Sequence, residues 1–258
     1  MEKLYVYSDV KLPTDLPKPA EIKQLPKDKK ILVVSPHSDD ASVALGATIT
    51  TLNRTNKIVP VLFFSGSRGV AGKSKEEAII VRESEMKKES KVLGIDQPIF
   101  LRLGSYYKDG FIVEDEEILK VEKVLENQNP DLIFLPKKDD LHPRHRMATQ
   151  IILKALKQPH LKKNETPILF FYENPWSLFG EFEFNIVFII PKKSILNKMK
   201  AIQQHTSQLA RTPFDKAALS LAAFRGSVVP EQRIFGYGTA IESNFDIFIE
   251  AFKYEGDY

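Results

Sequence analysis

A chain of 258 residues that is 43% hydrophobic can bury one sizeable core and is short for two. Its 37 basic and 34 acidic side chains give a formal charge of +3 with no long block of like charge, which argues against a nucleic-acid partner. The absence of cysteine excludes disulfides, thiolate nucleophiles and cysteine zinc sites, leaving histidines and carboxylates as the good metal ligands.

Residues 1–29 are polar and carry Pro13, Pro17, Pro19 and Pro26; they read as an extended arm, with the domain taken to run over 30–258. No apolar run of signal-peptide or membrane-span length occurs, so neither is expected, and a cytoplasmic location is. From Lys30 onward, strands are predicted at Ile31–Val34, Ile58–Phe64, Ile99–Leu101 and Leu132–Leu135, and helices over 41–53, 74–93, 115–127 and 143–157. Strands at Ile168–Tyr172 and Glu183–Ile190, a helix over Lys192–Ala210 and a last strand within Asp246–Phe252 complete the pattern. Such alternation predicts an α/β fold: a single Rossmann-like domain with a mostly parallel central sheet flanked by helices. Ligands of such sheets collect at the carboxyl ends of the strands, so the chemistry is sought there.

Two corners stand out. The first strand runs into Ser35-Pro36-His37-Ser38-Asp39-Asp40, and the fourth into Asp139-Asp140-Leu141-His142-Pro143-Arg144-His145-Arg146. Pro143 suits the first position of a helix, which puts His142 at its cap and His145 one turn inside, so both rings can face one point. Of only five histidines, three fall in these corners. A lone histidine is more often structural than catalytic, but two such corners at strand ends are not a lone signal. Two histidines and one carboxylate form a catalytic zinc set with a position left for water. Because adjacent residues cannot easily aim at the same atom, one Asp of the pair 39–40 can bind metal while the other takes a proton.

Pro36-His37-Ser38-Asp39-Asp40 resembles the His-Pro-Asp-Asp signature of the PIG-L/LmbE-like zinc N-deacetylases, and Asp140 to Arg146 resembles their Asp-x-His-Pro-Asp-His-Arg signature. Smaller echoes are Arg82-x-x-Glu85 before Leu93-Gly94, Lys200-Ala201 with His205-Thr206-Ser207-Gln208, and Ile241 to Phe245. The resemblance implies Zn2+ or another divalent transition metal held by His37, Asp40 and His145, with Asp39 as general base. It implies that His142, if protonated, stabilises the oxyanion and gives a proton to the leaving amine. The substrate implied is a small N-acetylated sugar or glycoside of N-acetylglucosaminyl type, with acetate and a free amine as products; a homo-oligomer is compatible. Arg82, Arg68 and Asp140 are the candidate substrate contacts, although Arg82 could equally pair with Glu85 on its own helix.

Ser38 stands where the family has Pro, and Arg144 where it has Asp; the second change touches the support of the ligand histidines. The Gly-rich stretch Ser65–Gly72 lacks a dinucleotide or P-loop spacing and reads as an active-site loop. His205 reads chiefly as structural or surface, and Tyr172 to Trp176 as either a sugar-stacking rim or a structural turn. Glu242 reads as a cap or ion-pair residue. Two other classes remain open at this stage: a metal-dependent phosphoesterase, and a ligand-binding protein with a structural zinc.

Overall fold

The β-branched runs become the parallel half of one nine-stranded sheet. In the computed structural model, residues 3–7, 19–22, 25–104, 113–158, 166–180, 183–229 and 247–255 are described. The strands are β1 (Lys3–Tyr7), β2 (Pro19–Ile22), β3 (Lys30–Ser35), β4 (Lys57–Leu62), β5 (Ile99–Phe100), β6 (Leu132–Pro136), β7 (Ile168–Tyr172), β8 (Ile186–Ile190) and β9 (Phe248–Glu255). The helices are α1 (Asp40–Leu52), α2 (Lys75–Leu93), α3 (Asp115–Gln128), α4 (Pro143–Leu156), α5 (Lys192–Ile202), α6 (Thr206–Leu209) and α7 (Phe214–Val229).

The sheet order is β2-β1-β8-β9-β7-β6-β3-β4-β5. From β7 to β5 every pairing is parallel, and the remaining pairings are antiparallel, so β9 and β1 run against the other strands. Succession reverses between β3 and β6: the chain moves outward from β3 to β4 and β5, then returns to place β6 on the other side of β3. That reversal is the switch point at which doubly wound sheets bind ligands.

Period-two alternation sends successive residues of the central strands to opposite faces. Ile31, Val33, Ile58, Leu132 and Phe134 pack with α1, α5 and α7 through Leu45, Ile49, Ile195 and Ala222. Leu32, Val34, Val59, Val61, Ile133 and Leu135 pack with α3 and α4 through Val121, Leu125, Ile151 and Ile152. The helices start and stop where local chemistry dictates. Ser74 and Glu77 form a reciprocal capping box ahead of α2, which ends at Gly94 in the left-handed region at φ 72°.

Three elements differ from the sequence reading. The stretch 1–29 supplies β1 and β2, a hairpin that adds to β8, with Pro19 tolerated as the first residue of the outermost strand. The single helix expected over Lys192–Ala210 is two, because His205 leaves helical geometry (φ −89°, ψ 57°) and buries its ring against Glu89 at 3.1 Å. Helix α7 was not anticipated. Ile241 to Phe245, with Glu242, lie outside the described residues.

Helix α1 is interrupted at Leu45 (φ −134°, ψ 23°), and a buried ion pair caps both sides of the break. Glu250 of β9 accepts from the backbone N–H groups of Ala47 and Thr48 at 3.2 and 2.7 Å. Lys198 of α5 donates to the Ala44 carbonyl at 3.2 Å and to Glu250 at 2.6 Å. Gly46 is needed beside them, since a Cβ there would lie 3.0 Å from Lys198 Cγ. Replacing Glu250 by Gln strands the Lys198 ammonium, whose side chain is only 2% exposed, and should cost about 3 kcal/mol of stability in urea titration. Lys198→Met with Glu250→Leu should cost much less than the sum of the single replacements; additive losses would show that the two groups do not act as a pair.

Candidate metal centre

The turn over 36–39 joins β3 to α1, and the segment over 137–142 joins β6 to α4; since β3 and β6 are neighbours, the two corners meet across the switch point. His37, Asp40 and His145 come together there. His37 Nδ1 stands 3.1 Å from Asp40 Oδ2, His145 Nε2 stands 3.2 Å from the same oxygen, and the two nitrogens are 3.3 Å apart. In a tetrahedral zinc site with bonds of about 2.0–2.1 Å, ligand atoms are separated by about 3.3 Å, so the triangle already has the dimensions a cation requires. The donor set, two imidazoles and a carboxylate, suits zinc or a neighbouring divalent transition metal.

Local structure explains the placement. Asp40 opens α1, where the positive end of the helix favours a carboxylate, and Oδ2 also accepts the His37 backbone N–H at 2.7 Å. Pro143 occupies the first turn of α4, and His142 caps it by accepting the Arg144 backbone N–H on Nδ1 at 3.2 Å. Burial works against the charge of Asp40, yet His145 and His37 hold its pKa well below the ordinary carboxylate range. Burial also opposes charge on His145, but Asp40 and Asp140 outweigh it and push its pKa up to about 10, whereas burial dominates at His37 and lowers it.

Asp39 points elsewhere. Its Oδ1 accepts from Arg82 Nη2 at 2.8 Å, with both side chains buried. Burial would raise its pKa, but the Arg82 guanidinium outweighs burial and keeps Asp39 below the usual range, hence ionised. Glu85 does not serve as Arg82's partner; its carboxylate accepts from the backbone and hydroxyl of Ser207 and from Thr206.

Two sequence expectations change here. Asp140 was read as a substrate contact, but it is fully buried and does not line the cavity. Its Oδ2 faces His145 Nδ1 at 3.1 Å and its Oδ1 accepts the His142 N–H at 2.8 Å, so it fixes which edge of the His145 ring meets Asp40. His142 was expected, if protonated, to stabilise the oxyanion and give a proton to the leaving amine. Burial lowers its pKa to about 4, reinforced by the neighbouring His37, His145 and Arg144, so at neutral pH the ring is neutral and, with Nδ1 accepting, carries its proton on Nε2.

A cavity of about 400 Å³ opens beside the triangle, lined by His37, Asp39, Asp40 and His142 together with Arg68, Arg82 and Trp176. Gly66 (φ 66°) and Gly69 of the loop after β4 form part of the wall. Trp176 sits at a turn closed by an Asn174–Ser177 bridge, its ring 5.7 Å from that of His145 and 5.5 Å from that of Phe214. Gln208, Arg211, Phe214 and Arg144 complete the lining. Of these, Gln208 belonged to a sequence echo already noted; Arg211 and Phe214 carried no signal, because the α6–α7 connection that presents them was not foreseen.

Comparison with known proteins places this arrangement. Residues 32–156 match the family described as PIG-L: GlcNAc-PI de-N-acetylase. A Bacillus cereus protein named "Probable N-acetyl-alpha-D-glucosaminyl L-malate deacetylase 2" is 27% identical over 154 residues, 55% of this chain and 66% of that protein, slightly under two thirds of its length. Among solved structures, N,N'-diacetylchitobiose deacetylase from Pyrococcus horikoshii superposes with a TM-score of 0.70 at 20% identity, covering 88% of this chain and 84% of that one. The 4-carboxy-2-hydroxymuconate hydratase GalB from Pseudomonas putida shares the fold at a TM-score of 0.68 and 17% identity, over 88% of this chain and 95% of that one. The fold therefore hosts more than one reaction, and the site must carry the functional argument.

Asp140→Asn should keep the fold but lose the preferred His145 ring state, weakening zinc affinity by about 10- to 100-fold in competition with a chromophoric chelator. An unchanged affinity would show that the carboxylate does not orient the ligand.

Proposed function

We propose that the protein is a zinc-dependent N-deacetylase that removes the acetyl group from a small N-acetylated amino sugar or glycoside, releasing acetate and a free amine. One observation carries the reading: Asp40 turns into the His37–His145 triangle while its neighbour Asp39, held ionised by Arg82, lines the adjoining cavity. Ligand and base are thus separate groups about one point, which is what amide hydrolysis by water requires. The named activities of the relatives, on glycosidic N-acetyl groups, support the same reading.

When bound through His37, Asp40 and His145, zinc supplies Lewis acidity toward the amide carbonyl and makes hydroxide available near neutral pH. Asp39 takes the proton of the attacking water and is the group placed to pass it to the departing amine nitrogen. His142 donates from Nε2 as a neutral imidazole to the oxygen on which charge develops. Arg82 holds Asp39 through Nη2. Trp176 and Phe214 provide apolar surface suited to the face of a sugar ring.

A two-metal phosphoesterase needs additional bridging carboxylates, and the described residues gather only one potential ligand cluster. The test is release of primary amine from a panel of N-acetylated sugars and glycosides, with zinc-loaded and chelated protein side by side. Amine should appear only with metal. Asp39→Asn should retain zinc and lose turnover by about 10²- to 10⁴-fold. No amine from any member of the panel despite bound zinc, or full turnover by Asp39→Asn, would overturn the reading and favour a binding protein.

A further inference from the structure

Helix α6 is a single turn, too short to hold itself, and two buried acids of α2 hold it instead. Glu89 meets His205 Nε2 at 3.1 Å. Glu85 accepts from the Ser207 N–H at 2.8 Å, from the Ser207 hydroxyl at 2.7 Å and from the Thr206 hydroxyl at 3.2 Å. Arg82 lies three residues before Glu85, so the face of α2 that carries the partner of Asp39 also carries the anchors of α6.

Through α6 the hold reaches the loop after β4. Gln208 Nε2 donates to the Gly69 carbonyl at 2.8 Å, and Arg211 Nη1 adds a longer contact to the same oxygen at 3.3 Å. The Gly69 N–H donates in turn to the Gly66 carbonyl at 2.8 Å, closing a tight turn. That turn lies on Arg82: a Cβ at Gly66, whose φ is 66°, would stand 3.4 Å from Arg82 Nε, and one at Gly69 would stand 3.8 Å from the same atom. Beneath it, Arg82 Nε and Nη1 are buried with no hydrogen-bond partner among the described residues, while Nη2 donates to Asp39 at 2.8 Å. Donors left dry oppose such closure, since water would satisfy them if the turn lifted. The turn therefore needs a hold from outside itself, and Gln208 supplies it.

We infer that Gln208 is a positioning residue for the proposed general base: its hold on the Gly69 carbonyl clamps the turn over 66–69 onto Arg82 and keeps water off the guanidinium that fixes Asp39. The role given to Asp39 rests on the deacetylase reading. Where water is excluded, the charged hydrogen bond from Nη2 is strong and meets no competitor, so the carboxylate keeps one orientation. With the turn lifted, water shares both groups, and the carboxylate is free to turn away from the cavity.

Gln208→Met removes the donor at nearly constant length, and Gln208→His keeps a donor at similar reach. Gln208→Met should lower kcat for amine release by about ten-fold with KM little changed, because misplacing a catalytic group slows the chemical step. Gln208→His should restore most of the loss. On an Asp39→Asn background, Gln208→Met should subtract nothing further, as expected of groups that act as a unit. Two readouts need no turnover: backbone amide exchange over 65–74, and exchange of the Arg82 Nε–H followed by nuclear magnetic resonance, should both speed by about ten-fold or more in Gln208→Met. Zinc content and circular dichroism verify that each variant is folded; should Gln208→Met fail this check, Gln208→Glu, which also lacks a donor, takes its place. A loss confined to KM, or one that persists in full on Asp39→Asn, shows that Gln208 meets the substrate itself and overturns the inference, as does unchanged exchange at Arg82. If no N-acetylated sugar yields amine from the parent, the deacetylase reading falls by itself. The clamp is then decided by exchange alone: a faster Arg82 Nε–H in Gln208→Met upholds it, and an equal rate overturns it.

Discussion

The buried carboxylate of Asp40 is the constraint around which the molecule is arranged. Placing an ionised acid 1% exposed between two sheet-end loops is costly unless charge and hydrogen bonds repay it. Here the His37 backbone N–H, the two imidazoles and the positive end of α1 all converge on it. Of these partners, His145 reaches Asp40 because β3 and β6 are adjacent parallel strands ending at the same edge. The sheet order and the ligand triangle are therefore one feature described at two scales.

Helix α1 has to satisfy two demands that a straight helix would not meet together. Its first residue must present Asp40 at the switch point, and its remaining length must pack against Ile31, Val33 and α5. The break at Leu45 separates these tasks, and Glu250 and Lys198 satisfy the backbone groups the break exposes. Two residues more than fifty positions apart thereby stabilise the geometry of a site that neither touches. Burial of such a pair adds little net stability compared with an apolar pair of the same volume, so its value lies in fixing where the helix bends.

Much of the parallel half was legible because it depends on local signals. Period-two burial in Ile31–Val34 and Leu132–Leu135, the cap at Ser74 and the Pro143 start of α4 are all short-range. That Asp39 and Asp40 turn to different partners was legible too, since neighbouring side chains at a helix start do not easily share a target. What escaped was non-local. Helix α7 carries a mixed small and apolar pattern whose face is decided by β9, and Arg225 within it is held by a bidentate contact to Glu173 that no spacing announces. The break at His205 reflects its pairing with Glu89 across 116 positions, against a helix propensity that would have continued. The protonation state of His142 depends on the packing of three rings within 5.3 Å of one another, a fact that exists only in the folded chain.

Arg144 lies in the first turn of α4, between His142 and His145. An acid at that position could have been required to orient a ligand histidine, and its loss would then have weakened the metal centre. Asp140 already provides that orientation for His145 from a fully buried position, so residue 144 is released from the duty. Burial first, then His37 and His145, with Arg144 adding the smallest contribution, disfavour a proton on His142 and leave that ring a neutral hydrogen-bond donor. In the proposed reaction, the proton for the leaving amine must then come from the group that took it from water, Asp39, whose carboxylate is kept ionised and in place by Arg82.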